Sequence, residues 1–238
     1  MALAAEPVLA RGAAVQGDAA LNATLDAVFQ DGIAHSPEYA TSLGLDKGKL
    51  APLRSQLSPA TAAERASDLA RNQKWARALT AINPATLTAT GKRNRALAQY
   101  MLEQRSLAAR DFGLDSVQRP YRLFQQGGAY FEIPDFLNSQ HTINSAADAE
   151  AYLSRLSAFA RVLDEDTAEQ KAQSARGFTA PGWSIDLTLG RADNSYLQMT
   201  EGDGRLTMLE TLLGRTVGRQ PTPKTRNPLT APILRGGS

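Results

Sequence analysis

One apolar stripe in the second half of the chain constrains the fold more than any other pattern. Its members recur at the spacing of one helix face, at Ala149, Tyr152, Leu153, Leu156, Phe159, Ala160 and Leu163. Such a stripe indicates an amphipathic α-helix with one side packed on a core. Ser145 and Asp148 form a weak capping-box pattern before it. The helix is expected to extend towards Ala175, and Gly177 is a typical C-terminal stop.

Shorter patterns predict helices earlier in the chain. Leu21, Leu25, Val28 and Phe29 favour a helix over residues 18–34. Ser36-Pro37 should end it, because the residue before a proline is pushed out of the α region. A short helix over 37–43 would follow and end at Gly44. The sequence thus predicts two helices separated by a proline break.

Two more helices are predicted before residue 110. Ser58-Pro59 combines a capping hydroxyl with a proline suited to the first helical position. The helix that it starts should reach Ile82, with an inner face formed by Ala62, Ala66, Leu69, Ala76 and Leu79. Thr88 or Thr90 is expected to cap the next helix, over 92–109. We expect the inner face of that helix to carry Leu97, Tyr100, Met101 and Leu107.

Composition agrees with an all-α protein. Of 238 residues, 42% are hydrophobic and only 6% are aromatic, and much of the apolar share is alanine, the best helix former. Such a length suits one large or two small domains. No run approaches the roughly 20 apolar residues of a membrane helix. The predicted architecture is an irregular multi-helix array with long loops.

Charge excludes one class of partner. The net charge is +2, from 26 basic and 24 acidic residues. A nucleic-acid-binding domain typically has a clustered basic face, which this chain lacks, so we expect no nucleic-acid partner. Only the part after Glu210 is one-sided, with five basic residues and no acid.

Three regions are expected. Residues 1–17 are alanine-rich and form either a disordered N-terminus or the remnant of an export signal, since Ala2-Leu3-Ala4 has the small-x-small pattern of a cleavage site. Residues 18–190 form the helical domain. Residues 191–238 form a divergent, partly disordered basic tail, although residues 197–213 could be helical.

The segment from Pro120 to His141 concentrates glycines, aromatics and prolines between two predicted helices. We expect no long helix over 113–144, only turns and one helical turn near 135–139. The aromatic residues could form core or line a substrate cleft. Gly127-Gly128 could be a tight turn or a place where a ligand approaches the backbone. Our candidate substrate-binding residues are Tyr121, Gln125, Tyr130 and His141.

No complete catalytic centre emerges from the residue types. The chain has no cysteine and two histidines, His35 and His141, whereas a catalytic zinc needs three protein ligands. There is no Gly-x-Ser-x-Gly elbow and no P-loop. The acidic cluster of residues 164–166 is interpreted as solvated surface. We assign no catalytic residue, no metal ligand and no cofactor to this chain.

The order and spacing of several segments resemble the bacterial family known as domain of unknown function 885. The segments are residues 25–29, residues 36–48, residues 128–141, the helix start at 148–152, and residues 177–189. The family departs from this chain at Thr142, where it tends to have proline. Residues 191–205 look like an insertion or a divergent splice.

The resemblance implies a largely helical, exported bacterial protein with a fold like that of helical zinc metallopeptidases. It also implies that zinc is bound through a His-Glu and Gly-His-His pattern in a C-terminal half, to which no position here corresponds. We therefore expect the N-terminal half of such a protein, inactive by itself and missing a C-terminal half. The location would be periplasmic or secreted, or cytoplasmic if Met1 is the true start. The alternative is a free-standing helical module that binds a peptide or a partner chain.

Overall fold

The computed structural model describes the backbone of residues 8–189 and the side chains of residues 16–189. Within this part of the chain the fold is helical and contains no strand, as the sequence predicts. Its α-helices are α1 (Val8–Ala34), α2 (Pro37–Ser42), α3 (Ala62–Ala81), α4 (Ala89–Leu107), α5 (Ala129–Ser139), α6 (Ala146–Ala175) and α7 (182–189). The predictions for residues 1–7 and for residues 191–238, including a helix over 197–213, lie outside the described residues.

Short helical turns of other types connect these elements. Two 3₁₀ segments, Gly48–Ser55 and Pro84–Thr86, precede α3 and α4. A π-helical turn, Ala108–Phe112, continues α4 and ends at Gly113, whose φ of 61° is left-handed. Glycine adopts this conformation without the steric penalty that a side chain would bring.

The first helix is longer than predicted, and the third begins later. α1 begins at Val8 rather than near residue 18. α3 begins at Ala62, where the Thr61 hydroxyl accepts a hydrogen bond from the Glu64 N–H. Thr61 and Glu64 have the three-residue spacing of the hydroxyl and carboxylate residues in a capping box. The predicted start at Ser58-Pro59 was therefore wrong, because the stronger cap lies three residues further on.

The helix α5 forms where only turns and one helical turn near residues 135–139 were expected. Its buried residues are Ala129, Tyr130, Ile133, Phe136 and Leu137, which share one helix face. Pro134 lies just after the first turn, so only one interior hydrogen bond is lost. The prolines and glycines of this segment concealed a helical pattern.

The described helices enclose three apolar clusters. One lies between α5 and α6 and contains Phe136, Leu137 and Tyr152. A second joins α1, α3 and α4 around Leu21, Leu79 and Leu102. The third, a small one, joins the end of α1 to α2 and the first 3₁₀ segment. None of the described helices is both long enough and apolar enough to cross a bilayer.

The inward face of α4 differs from the one predicted. Leu97, Tyr100 and Met101 are exposed, with Tyr100 at 63%, whereas Leu102 is 4% exposed and packs in the second cluster. Gly91 also faces inward, since a Cβ there would overlap the carboxylate of Asp18 on α1. The close contact at Gly91 sets the rotation of α4, and a hydrophobicity pattern does not reveal it.

Two leucine truncations on α4 test this rotation. Leu102→Ala should lower the free energy of unfolding by about 2–5 kcal/mol, because it opens a cavity in the core. Leu97→Ala should change it by less than about 0.5 kcal/mol, since Leu97 is 58% exposed. Urea unfolding of both variants measures the difference. Equal losses, or a larger loss at Leu97, would contradict the packing of α4.

Candidate functional site

The guanidinium of Arg155, midway along α6, is fully buried. Its Nη1 donates to Nδ1 of His141 at 2.7 Å, and its Nη2 donates to the Thr41 hydroxyl at 2.7 Å. The remaining acceptors are the main-chain oxygens of Gln56 at 2.9 Å, Leu53 at 3.1 Å and Pro37 at 3.4 Å. The ring of Phe136 lies 4.8 Å from the guanidinium carbon. Arg155 thus joins α2, the first 3₁₀ segment and α5 to α6.

His141 is a structural partner of this arginine. Its Nε2 lies 3.1 Å from the carbonyl oxygen of Asp148. A carbonyl can only accept, so Nε2 carries the proton and Nδ1 accepts from Arg155. Both ring nitrogens are therefore engaged, and the ring packs edge-on against Tyr152.

Two acidic residues surround the arginine without contacting it. The Thr41 hydroxyl, which accepts from Arg155, donates to Asp46 Oδ2 at 2.8 Å. Arg54 bridges Asp46 at 2.9 Å and Asp148 at 2.7 Å. Burial opposes ionisation of Asp46, but the hydrogen bonds from Thr41 and Arg54 outweigh it and keep its pKa below the usual value. The residues of the 36–48 and 148–152 segments thus meet at one buried polar network.

Burial and the adjacent cations keep His141 neutral. Burial is the largest cause and the charge of Arg155 adds to it, so that the pKa of His141 is lowered from 6.5 to about 4. Burial also lowers the pKa of Arg155 to about 10, which leaves the guanidinium charged at neutral pH. A second positive charge at His141 would therefore face a buried cation.

The pH dependence of stability follows from this lowered pKa. The unfolded histidine takes up a proton near pH 6.5, whereas the folded one does so only near pH 4. The contribution of His141 to the free energy of unfolding is therefore complete above pH 6.5 and is lost as the pH falls towards 4. His141→Gln, which can still donate and accept, should flatten the urea-unfolding profile between pH 6.5 and 4. An unchanged slope in the variant would contradict the neutral, engaged histidine.

A second polar cluster on α6 holds the start of α5. The carboxylate of Asp166, 1% exposed, accepts from the main-chain N–H of Ala129 at 2.5 Å and from Arg122 Nε at 2.6 Å. A carboxylate at a helix N-terminus satisfies an unpaired N–H and interacts favourably with the helix dipole. The interpretation of residues 164–166 as solvated surface was therefore wrong for Asp166.

The Gly127-Gly128 pair is a tight turn. Phe124 and Gly127 exchange main-chain hydrogen bonds, and a Cβ at Gly127 would overlap the Phe124 ring. Gly128 has a φ of 102°, and a Cβ there would lie 3.2 Å from Asp166 Oδ2. Of the two interpretations that the sequence left open, the structural one is confirmed.

A cavity of about 320 Å³ lies beside this turn, between the 115–124 loop, the start of α5 and the end of α6. Its lining is mainly polar and includes Tyr121, Arg119, Arg122, Glu132 and Gln173. Arg122 is neutralised by Asp166 and by Asp115 at 3.3 Å. Within the described residues, no carboxylate pairs with Arg119, whose guanidinium lies 4.8 Å from the Phe124 ring centre.

The structure does not bring the four candidate substrate-binding residues together. Tyr121 lines the cavity. Tyr130 is buried and its hydroxyl donates to the Phe124 carbonyl at 2.7 Å. Gln125 lies in the turn, where its Oε1 is buried and makes no hydrogen bond. His141 belongs to the Arg155 network, so Tyr121 is the one of the four that lines this cavity.

Among the described side chains, the donor atoms are not grouped in a way that would hold a metal ion. In the part of the chain with described side chains, no group of three or more histidine, aspartate or glutamate residues could hold one. His141 has both nitrogens engaged. His35 lines another cavity, between α1 and α3, where its Nδ1 lies 2.7 Å from the Asp31 carbonyl oxygen. No donor set among the side chains that the structure describes corresponds to the zinc site that the resemblance implies.

Sequence reasoning missed the polar residues on the buried side of α6. Arg155, Asp166, Glu169 and Gln173 are all at most 8% exposed, yet charged and amide residues are normally found on the surface. Their spacing gives a signal, since they follow Tyr152 at steps of three, eleven, three and four residues, all of which return to the same helix face. The same helix face that begins apolar becomes polar towards its end.

This helical architecture and its two polar networks define a compact α-domain with a small polar cavity. The model of one family, described as a bacterial protein of unknown function (DUF885), matches residues 37–231. Since the match covers most of the chain, the protein belongs to this family. No curated protein and no solved structure matches the chain.

Proposed function

We propose that this chain is the N-terminal helical half of a metallopeptidase-like protein and supplies a peptide-binding wall without catalytic activity of its own. The observation that carries the proposal is the cavity beside the Gly127-Gly128 turn. It combines an aromatic ring, that of Tyr121, with charged groups of both signs, Arg119 and Glu132. A peptide offers amide donors and acceptors together with apolar side chains, so it complements such a lining.

Hydrogen bonds and one ring contact hold the residues around the cavity in place. Asp166 holds both Arg122 and the first N–H of α5, and the ring of Tyr121 packs edge-on against Phe124 at 6.1 Å. A preorganised frame lowers the entropy lost on binding.

The metallopeptidase-like character and export to the periplasm rest on the family resemblance alone.

Peptide binding and its dependence on Tyr121 test the proposal. A fluorescein-labelled tetrapeptide of alanine and leucine should bind the chain, as measured by fluorescence anisotropy. Tyr121→Ala should weaken binding about tenfold, equivalent to about 1.4 kcal/mol. Tyr100→Ala is the matched control, since Tyr100 is an exposed tyrosine on α4 that does not line this cavity, and it should leave binding unchanged. Absence of peptide binding, or equal losses in the two variants, would rule the proposal out.

The zinc content of the purified chain tests the proposal that the chain has no catalytic activity of its own. Purified chain, exposed to zinc and then desalted, should carry well below one zinc per molecule by elemental analysis, because His141 has no free nitrogen. It should also leave peptide substrates uncleaved. Stoichiometric zinc that is lost in His141→Ala would contradict the assignment.

A further inference from the structure

A buried amide lines the cavity, and its hydrogen bond identifies which of its end atoms is the oxygen. Gln173 is 2% exposed and lines the cavity. Its Nε2 donates to Glu169 Oε1 at 3.2 Å, and the same carboxylate oxygen accepts from Arg65 at 2.6 Å. A carboxylate can only accept, so the NH₂ group must face Glu169 and the carbonyl oxygen must point the other way.

That carbonyl oxygen has no partner. Oε1 of Gln173 is buried and accepts no hydrogen bond from any described residue. An unsatisfied buried acceptor is destabilising, and a hydrogen-bond donor on a ligand would satisfy it. The Nε2–Glu169 distance is at the long end of the hydrogen-bond range, and the last torsion of glutamine is soft. A small rotation can therefore turn the oxygen towards a ligand.

Two charged groups at the rim lack a direct partner. Arg119 packs on the Phe124 ring and has no carboxylate within ion-pair distance among the described residues. Glu132, in the first turn of α5, is exposed and makes no hydrogen bond or close ion pair there. The cavity thus presents a cation without an ion pair, an exposed carboxylate that interacts with Arg122 only at longer range, and an unsatisfied acceptor.

The size of the cavity limits the ligand. About 320 Å³ is at the lower end of the range of roughly 300–1,000 Å³ for small-molecule sites. One or two amino-acid residues would fill it. A ligand of that size with an ammonium at one end and a carboxylate at the other complements all three groups.

We infer that the cavity binds a dipeptide-sized zwitterion, with its carboxylate at Arg119 and its ammonium at Glu132 and the Gln173 carbonyl. This inference rests on the proposed peptide-binding function and makes it more specific. Arg122 is excluded as the carboxylate partner because Asp166 and Asp115 already neutralise it. Recognition of both ends would favour short peptides over the interior of a long chain.

Titration calorimetry with alanyl-leucine, its C-terminal amide and its N-acetyl form tests the inference. The free dipeptide should bind about tenfold more tightly than either blocked form. Arg119→Met should weaken the free dipeptide about tenfold but leave the amide unchanged. Glu132→Gln should likewise remove most of the affinity difference between the free dipeptide and its N-acetyl form. Both residues are on the surface, so these variants should fold.

A third variant and two controls complete the design. Gln173→Met removes the acceptor at nearly constant volume and should weaken all three ligands, because each retains an N–H. Gln126→Met and Arg105→Met, at exposed positions outside this lining, should bind the free dipeptide like the unaltered chain.

The results separate this inference from the broader proposal. If the amide binds as well as the acid, or if Arg119→Met weakens both equally, the zwitterion inference fails. In that case Tyr121-dependent binding of the labelled tetrapeptide would still support the peptide-binding wall. If neither dipeptide nor tetrapeptide binds, both fail.

Discussion

The buried guanidinium of Arg155 is the interaction on which the rest of the described fold depends. A cation removed from water is costly unless its hydrogen bonds are replaced, and here no carboxylate contacts it directly. Main-chain carbonyls, a threonine hydroxyl and a neutral imidazole supply the acceptors. Because these acceptors come from distant parts of the sequence, their packing on α6 is coupled. The neutrality of His141 follows from the same contact, since protonation would remove an acceptor and add a like charge.

The same helix places the cavity. Along its buried side, α6 presents Arg155 to the α2 region, then Asp166 to the start of α5, and finally Gln173 to the cavity floor. The aromatic and glycine-rich segment from Pro120 to His141 is thereby divided into residues that support the fold and residues that face the cavity. His141 and Tyr130 support the structure, whereas Tyr121 and the rim charges face the open space. This division gives the proposed peptide-binding wall its position.

Sequence periodicity predicted the helical class, the extent of α6 and its serine cap, because these depend on local spacing and local hydrogen bonds. It failed for α4, where the close approach at Gly91 sets which side faces inward. It also failed for α5, whose proline concealed an apolar face. Of the candidate site residues, Tyr121 lies at the cavity and His141 does not, and the partner of His141 is 14 positions away in sequence. Arg155, Asp166 and Gln173 were not found because their burial depends on tertiary partners that spacing alone does not identify.

Residue-specific NMR of the peptide-bound chain tests the central claim most directly, namely that the open side of the glycine-rich segment binds ligand while the histidine side supports the fold. On titration with peptide, the amide signals of Tyr121, Gly128 and Glu132 should shift, together with the side-chain amide of Gln173. The imidazole signals of His141 and the guanidinium signals of Arg155 should remain in place. Shifts centred on His141, with the cavity residues unmoved, would contradict the account.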